Sequence, residues 1–243
     1  MDFVSYLING ISLGSIYAII ALGYTMVYGI AKMLNFAHGD VIMIGSYIVF
    51  ITVSGSGLPT VLGVVIAIVV CTILGMTIEK VAYSPLRSAT PLAVLITAIG
   101  VSYLLQNVAL LAFGANPKSF TSVVPFPSLV LADGQLVITS VSIVAIVSGI
   151  IIMVGLTLFV NKTKAGCAMK AVSEDRGAAQ LMGINVNATI SLTFAIGSAL
   201  AAIAGVLLCS PVIHLQKHLG YLLGYVITSH YVISMRMILS RRD

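Results

Sequence analysis

Residues 165–187 read AGCAMKAVSEDRGAAQLMGINVN, the longest polar interval in a chain that is otherwise almost continuously apolar. Glu174, Asp175, Lys170 and Arg176 fall inside it, and Lys162 and Lys164 lie just upstream. Apolar runs flank it on both sides, residues 136–160 before and 189–208 after. Each run is long enough to cross about 30 Å of hydrocarbon as a helix. The polar interval is too short and too charged to cross. It therefore lies at the membrane surface, where such a segment touches something soluble, and the rest of the chain is membrane body.

Composition agrees. The 243 residues are 59% hydrophobic and 8% charged, with mean hydropathy +1.13. Soluble domains carry about 25% charged residues. Long apolar runs with short polar breaks predict an all-α, polytopic transmembrane bundle with a short cytoplasmic helix. The alternating pattern of a membrane barrel is missing. Spans are expected at 3–30, near 34–53, 58–78, 92–113, 136–160 and 189–208, with a weak seventh at 219–233. That makes six or seven. Met1-Asp2 offers no basic leader, so the first span is expected to stay in the mature protein. The net charge of +5 comes from residues at span ends and does not suggest nucleic acid. Cys71, Cys167 and Cys209 form no CxxC, and Cys71 and Cys209 read as small buried hydrophobes.

Asn35-Phe36-Ala37-His38-Gly39-Asp40 interrupts the second span. The apolar run after it, 41–53, is too short to span alone. Either the span begins near Leu34 and carries His38 and Asp40 to depth, or broken backbone feeds a short helix. Ionisable groups at depth usually face a pathway or a buried partner. The plainer reading is punctuation, with Asn35 and Gly39 ending one helix and Asp40 capping the next. One His and one Asp are too few for a metal. Gln106 and Asn107, the strongly polar side chains of the fourth span, either bond across helices or line a polar route. Residues 114–135 read as an extended loop. Gly10 and Gly14 are spaced for a helix seam or fall so by chance. Gly197, Ala201 and Gly205 form a small-residue stripe suited to close packing.

Lys32, then Lys80 and Arg87, then Lys162, Lys164, Lys170 and Arg176 fall on one side if each span crosses once. Positive charge marks that side as cytoplasmic and puts the N-terminus outside. Within the polar interval Ser173 is a good N-cap, and Glu174 and Asp175 suit a first turn. Gly183 followed by Ile184 suits a helix stop. This brackets a helix at about 173–183. Asp175, Ala178, Ala179 and Met182 then share one shallow face. That face serves either to dock a partner or simply to lie in the membrane interface.

The order Glu174, Ala178-Ala179, Gly183 resembles a variant of the EAA loop of ABC importer permeases, the coupling helix that seats on an ATPase. KAVSEDRGAAQLMGINV (170–186) followed by TFAIGSALAAIAGVL (193–207) is similar to LivH-type permeases of branched-chain amino acid ABC transporters. So is GSIYAIIALGYTMVYGIAKMLNFAHGD (14–40). The resemblance covers residues 5–210. It implies a multi-pass permease of the bacterial inner membrane that imports branched-chain amino acids by alternating access. Permeases for urea, amides or other amino acids share these blocks. Its partners would be a second permease, two cytoplasmic ATP-binding subunits, a periplasmic binding protein and the lipid bilayer. ATP would be hydrolysed on the partners. The chain itself would be no enzyme and would bind no cofactor or metal; HExxH is absent. By the resemblance and the shared face, Glu174, Asp175, Ala178, Ala179, Met182 and Gly183 meet the ATPase. Asn35, His38, Gly39 and Asp40 match the family's NFAHGD block and are assigned to the translocation path. Residues 1–210 form the permease domain. The tail 211–243, ending HLQKHLGYLLGYVITSHYVISMRMILSRRD, departs from the family pattern. A truncated or frame-shifted end is the expectation there, with a transport-incompetent remnant as the alternative function.

Overall fold

Eight helices account for nearly all of the computed structural model, which describes residues 2–87, 89–114, 129–131 and 136–209. They are α1 (Asp2–Ala31), α2 (His38–Phe50), α3 (Thr60–Ile78), α4 (Pro91–Phe113), α5 (Ser140–Lys162), α6 (Lys164–Glu174), α7 (Arg176–Leu181) and α8 (Val186–Cys209). Strands β1 (Leu129–Leu131) and β2 (Leu136–Ile138) pair antiparallel ahead of α5. Among the described residues six helical segments are long and apolar enough to cross a membrane. The tail from 210 on, with the weak seventh span, lies outside the described residues.

The helix α8 is the axis. Of its span, 72% is buried, against 17% for α4 and 6% for α5. Small residues let three neighbouring helices close against it. A Cβ on Gly197 would stand 2.7 Å from Val27 of α1, and one on Gly205 would stand 2.5 Å from the Ile42 carbonyl of α2. A Cβ at Gly75 of α3 would fall 1.8 Å from Ser198 Oγ. The expected stripe thus packs closely but is shared among partners. Gly10 and Gly14 of α1 approach nothing within 4 Å, so their spacing makes no seam within the described residues.

Three boundaries differ from those read in the sequence. The fifth span starts at Ser140 because residues 136–138 pair with β1 instead. The third span runs on through a π-helical turn, Glu79–Tyr83, and a short 3-10 turn, so Glu79 and Lys80 are helical and not in a loop. Most consequentially, the polar interval holds two helices. Thr163 caps α6, its hydroxyl accepting from Gly166 N–H at 3.0 Å. The break falls at Asp175, whose extended backbone (φ −148°, ψ 115°) starts α7.

Candidate functional site

Two polar centres stand out, one inside the bundle and one at its end. The inner one is built on the break after α1. Lys32 takes φ 51°, the left-handed conformation that ends a helix, and the chain folds back before α2 begins at His38. Ala37 precedes α2 without a side-chain cap, and Gly39 and Asp40 lie in its first turn. Gly39 therefore does not end a helix. Asp40 does not cap one either, since its carboxylate reaches sideways. Gln106 Nε2 of α4 donates to Asp40 Oδ1 at 3.0 Å, and also to Ser102 Oγ at 3.1 Å. Tyr83 donates to Asn35 Oδ1 at 3.2 Å.

Depth follows from the neighbours of His38. A Cβ on Gly23 would lie 3.1 Å from the His38 ring and 3.1 Å from the Gly197 carbonyl. Gly23 lies eight residues before the end of α1 at Ala31, hence about 12 Å inside it. Gly197 is near the midpoint of α8. His38 and Asp40, each 1% exposed, are thus held at the level of the bundle centre. The Tyr24 ring meets the His38 imidazole edge-on at 5.9 Å. His38 Nε2, Asp40 Oδ2 and Gln106 Oε1 make no hydrogen bond to the described residues. Such atoms are costly in hydrocarbon and mark functional positions. A cavity of about 120 Å³ opens beside Gln106, lined also by Met43, Tyr47 and Asn107. Among the described residues no three His, Cys, Asp or Glu side chains converge as a metal site.

The second centre gathers the basic ends. Glu79, 2% exposed, accepts from Arg87 and from Ser191 Oγ of α8 at 2.6 Å. Arg87 also donates to Asn187 Oδ1. The Arg176 guanidinium donates to the Ala31 carbonyl at the C-terminus of α1, where the helix dipole favours a cation. Burial first, and then the charge of Arg87, lower the Arg176 pKa from its usual value. The ends of α1, α3 and α7 and the start of α8 are therefore tied together at one end of the bundle.

At this end Asp175, not Ser173, is the N-cap of α7, accepting from Ala178 N–H at 3.0 Å. The helix is correspondingly shorter than 173–183. Glu174 is the last residue of α6, and Ser173 donates back to the Lys170 carbonyl. Gly183 takes φ 82°, while Gly183 N–H bonds the Gln180 carbonyl and Ile184 N–H the Ala179 carbonyl, a Schellman stop. The shared face splits. Ala179 turns into the protein, while Ala178, Leu181 and Met182 face out, Leu181 90% and Met182 82% exposed. Leu181, Glu79, Ser191 and Asn187 were not singled out by sequence, and Arg87 only as a marker of the basic side. Arg87 and Glu79 looked like ordinary loop charges, and no local pattern links them to α8.

Comparison with known proteins agrees with this architecture. A family model described as "Branched-chain amino acid transport system / permease component" matches residues 6–239. That match runs past residue 210 into the tail. The chain is 42% identical over 233 residues to the high-affinity branched-chain amino acid transport permease BraD of Pseudomonas aeruginosa, covering 91% of this chain and 76% of that one. It is 41% identical over 240 residues to LivH of Escherichia coli K12, covering 91% and 75%. A probable LivH of Methanocaldococcus jannaschii is 29% identical over 201 residues, covering 80% and 62%. No solved structure matches. The relatives are transport permeases, and with six segments among the described residues long and apolar enough to cross a membrane, this is a multi-pass membrane protein. The chain belongs to the permease family of the branched-chain amino acid transport systems.

Proposed function

We propose that this chain is the permease subunit of an ATP-driven importer of branched-chain amino acids in the bacterial inner membrane. It catalyses no covalent chemistry. It pairs with a second permease, receives substrate from a periplasmic binding protein, and couples through the α6–α7 segment to two cytoplasmic ATP-binding subunits. The observation that carries the reading is the tip of α7. Leu181 and Met182 are exposed on a short turn outside the spans, while Ala179 anchors the same turn in the body. Exposed apolar side chains on a rigidly held turn suit a soluble partner.

The contact then centres on Ala178, Leu181, Met182 and Gly183, with Glu174 and Asp175 at its edge. Two nucleotide states of the ATP-binding subunits would press this turn differently and so bias the bundle between two openings. Asn35, His38, Gly39 and Asp40 are assigned to the translocation path, supported by the depth of His38 and Asp40 and by the unpartnered polar atoms of those two. The test is co-purification with the cognate ATP-binding subunits. Leu181→Asp with Met182→Asp abolishes association in this reading, and Ala178→Arg weakens it. Wild-type association in both variants would refute it.

A further inference from the structure

The docking turn has a second feature beside it that the apolar contact leaves unused. A cavity of about 530 Å³ lies between α7 and the first turn of α8, lined by Arg87, Arg176, Gly177, Gln180, Gly183 and Asn187, among others. Two guanidiniums thus face one space. The carboxylate nearby, Glu79, is buried behind Arg87 and already shared with Ser191. Arg176 donates to a backbone carbonyl, so no acid within the described residues neutralises it. Asp175 is turned to the Ala178 N–H. The Asn185 side chain is committed to Ala188 N–H, and the Asn187 oxygen to Arg87. What remains for an occupant is surplus positive charge and N–H donors, which select an oxyanion. A Cβ on Gly183 would meet nothing within 4 Å, so the rim is open on that side.

Position decides the source of the oxyanion. The cavity sits under the start of α8, the most enclosed span, and against the ends of α1 and α3. It therefore opens on the end face of the bundle and not on the lipid-facing flank. It also adjoins Leu181 and Met182, so one partner surface would meet both. We infer that this cavity receives a carboxylate, the side chain of an aspartate or glutamate on the ATP-binding subunit, beside the apolar recess that takes Leu181 and Met182. The inference rests on the docking reading above.

The experiment measures binding of the purified cognate ATP-binding subunits to the full-length chain in detergent, over a salt series. Gln180→Glu puts a carboxylate one helical turn from Arg176, where it occupies the cavity from within. Gln180→Glu and Arg176→Gln should each weaken binding about tenfold and flatten its salt dependence. Gln180→Glu should leave the melting temperature unchanged, which separates the effect from misfolding. Leu181→Asp should abolish binding through the apolar contact. If Leu181→Asp abolishes binding while both cavity variants keep wild-type affinity and salt slope, docking stands and the carboxylate pocket is wrong. If all three bind like wild type, the docking reading falls and takes the pocket with it. A third arm uses vesicles containing phosphatidylglycerol. Loss of vesicle binding in Gln180→Glu with subunit binding intact would reassign the cavity to a lipid headgroup and overturn the inference.

Discussion

Gly183 shows how much rests on single positions at the end of the bundle. Its φ of 82° lies in the left-handed region, which costs a residue with a Cβ about 1–2 kcal/mol. Space is not the obstacle, since a Cβ there meets nothing within 4 Å. Gly183→Ala should therefore loosen the turn without a clash, and hydrogen exchange at 180–185 should speed up about tenfold. Unchanged exchange would show that the turn tolerates an ordinary residue. Glu79 makes the opposite case, because its partners and not its backbone matter. Glu79→Ala leaves Arg87 mostly buried without its counter-charge, at about 3–5 kcal/mol. The double variant with Arg87→Ala should be less destabilised than the two single effects added, read from melting curves of the purified chain. Strict additivity would mean that the pair is not coupled.

At the scale of elements, α8 explains why the bundle closes. Gly75 of α3 has no room for a methyl group against Ser198. Gly75→Ala should lower the melting temperature, and adding Ser198→Gly should recover most of the loss by clearing the same space. No recovery would place the strain elsewhere. The positions of the six spans before residue 210 were legible because apolar length and punctuation are local properties. Helix bounds in the polar interval were not. Ser173 and Asp175 are equally good N-caps by residue type, and the sequence favoured the first. Arg176, which holds the Ala31 carbonyl across the bundle, fixes the start of α7 after the second. The split of Asp175, Ala178, Ala179 and Met182 has the same origin. Periodicity assigns residues to one face but does not say which edge of it the body covers. His38 and Asp40 were recognisable as out of place in grease, whereas Gln106 as the partner of Asp40 requires the packing of α2 against α4.

For the whole molecule, the ties among Ala31, Glu79, Arg87, Arg176, Asn187 and Ser191 put the basic intervals at one end of the bundle. The proposed orientation makes that end cytoplasmic. Cys167 on α6 is an exposed native probe for it. In a variant retaining only Cys167, a membrane-impermeant maleimide should label inside-out vesicles and leave intact spheroplasts unlabelled. Labelling of spheroplasts would invert the topology. The central claim concerns transmission, namely that ATP hydrolysis on a partner moves this membrane body through the tip of α7. Its most direct measurement is ATP-dependent leucine uptake into proteoliposomes holding the full complex and its binding protein, with wild-type chain or with Leu181→Asp and Met182→Asp. The account predicts uptake with the wild type and background uptake with the variant, while the variant keeps its melting temperature. Equal uptake by both would contradict it.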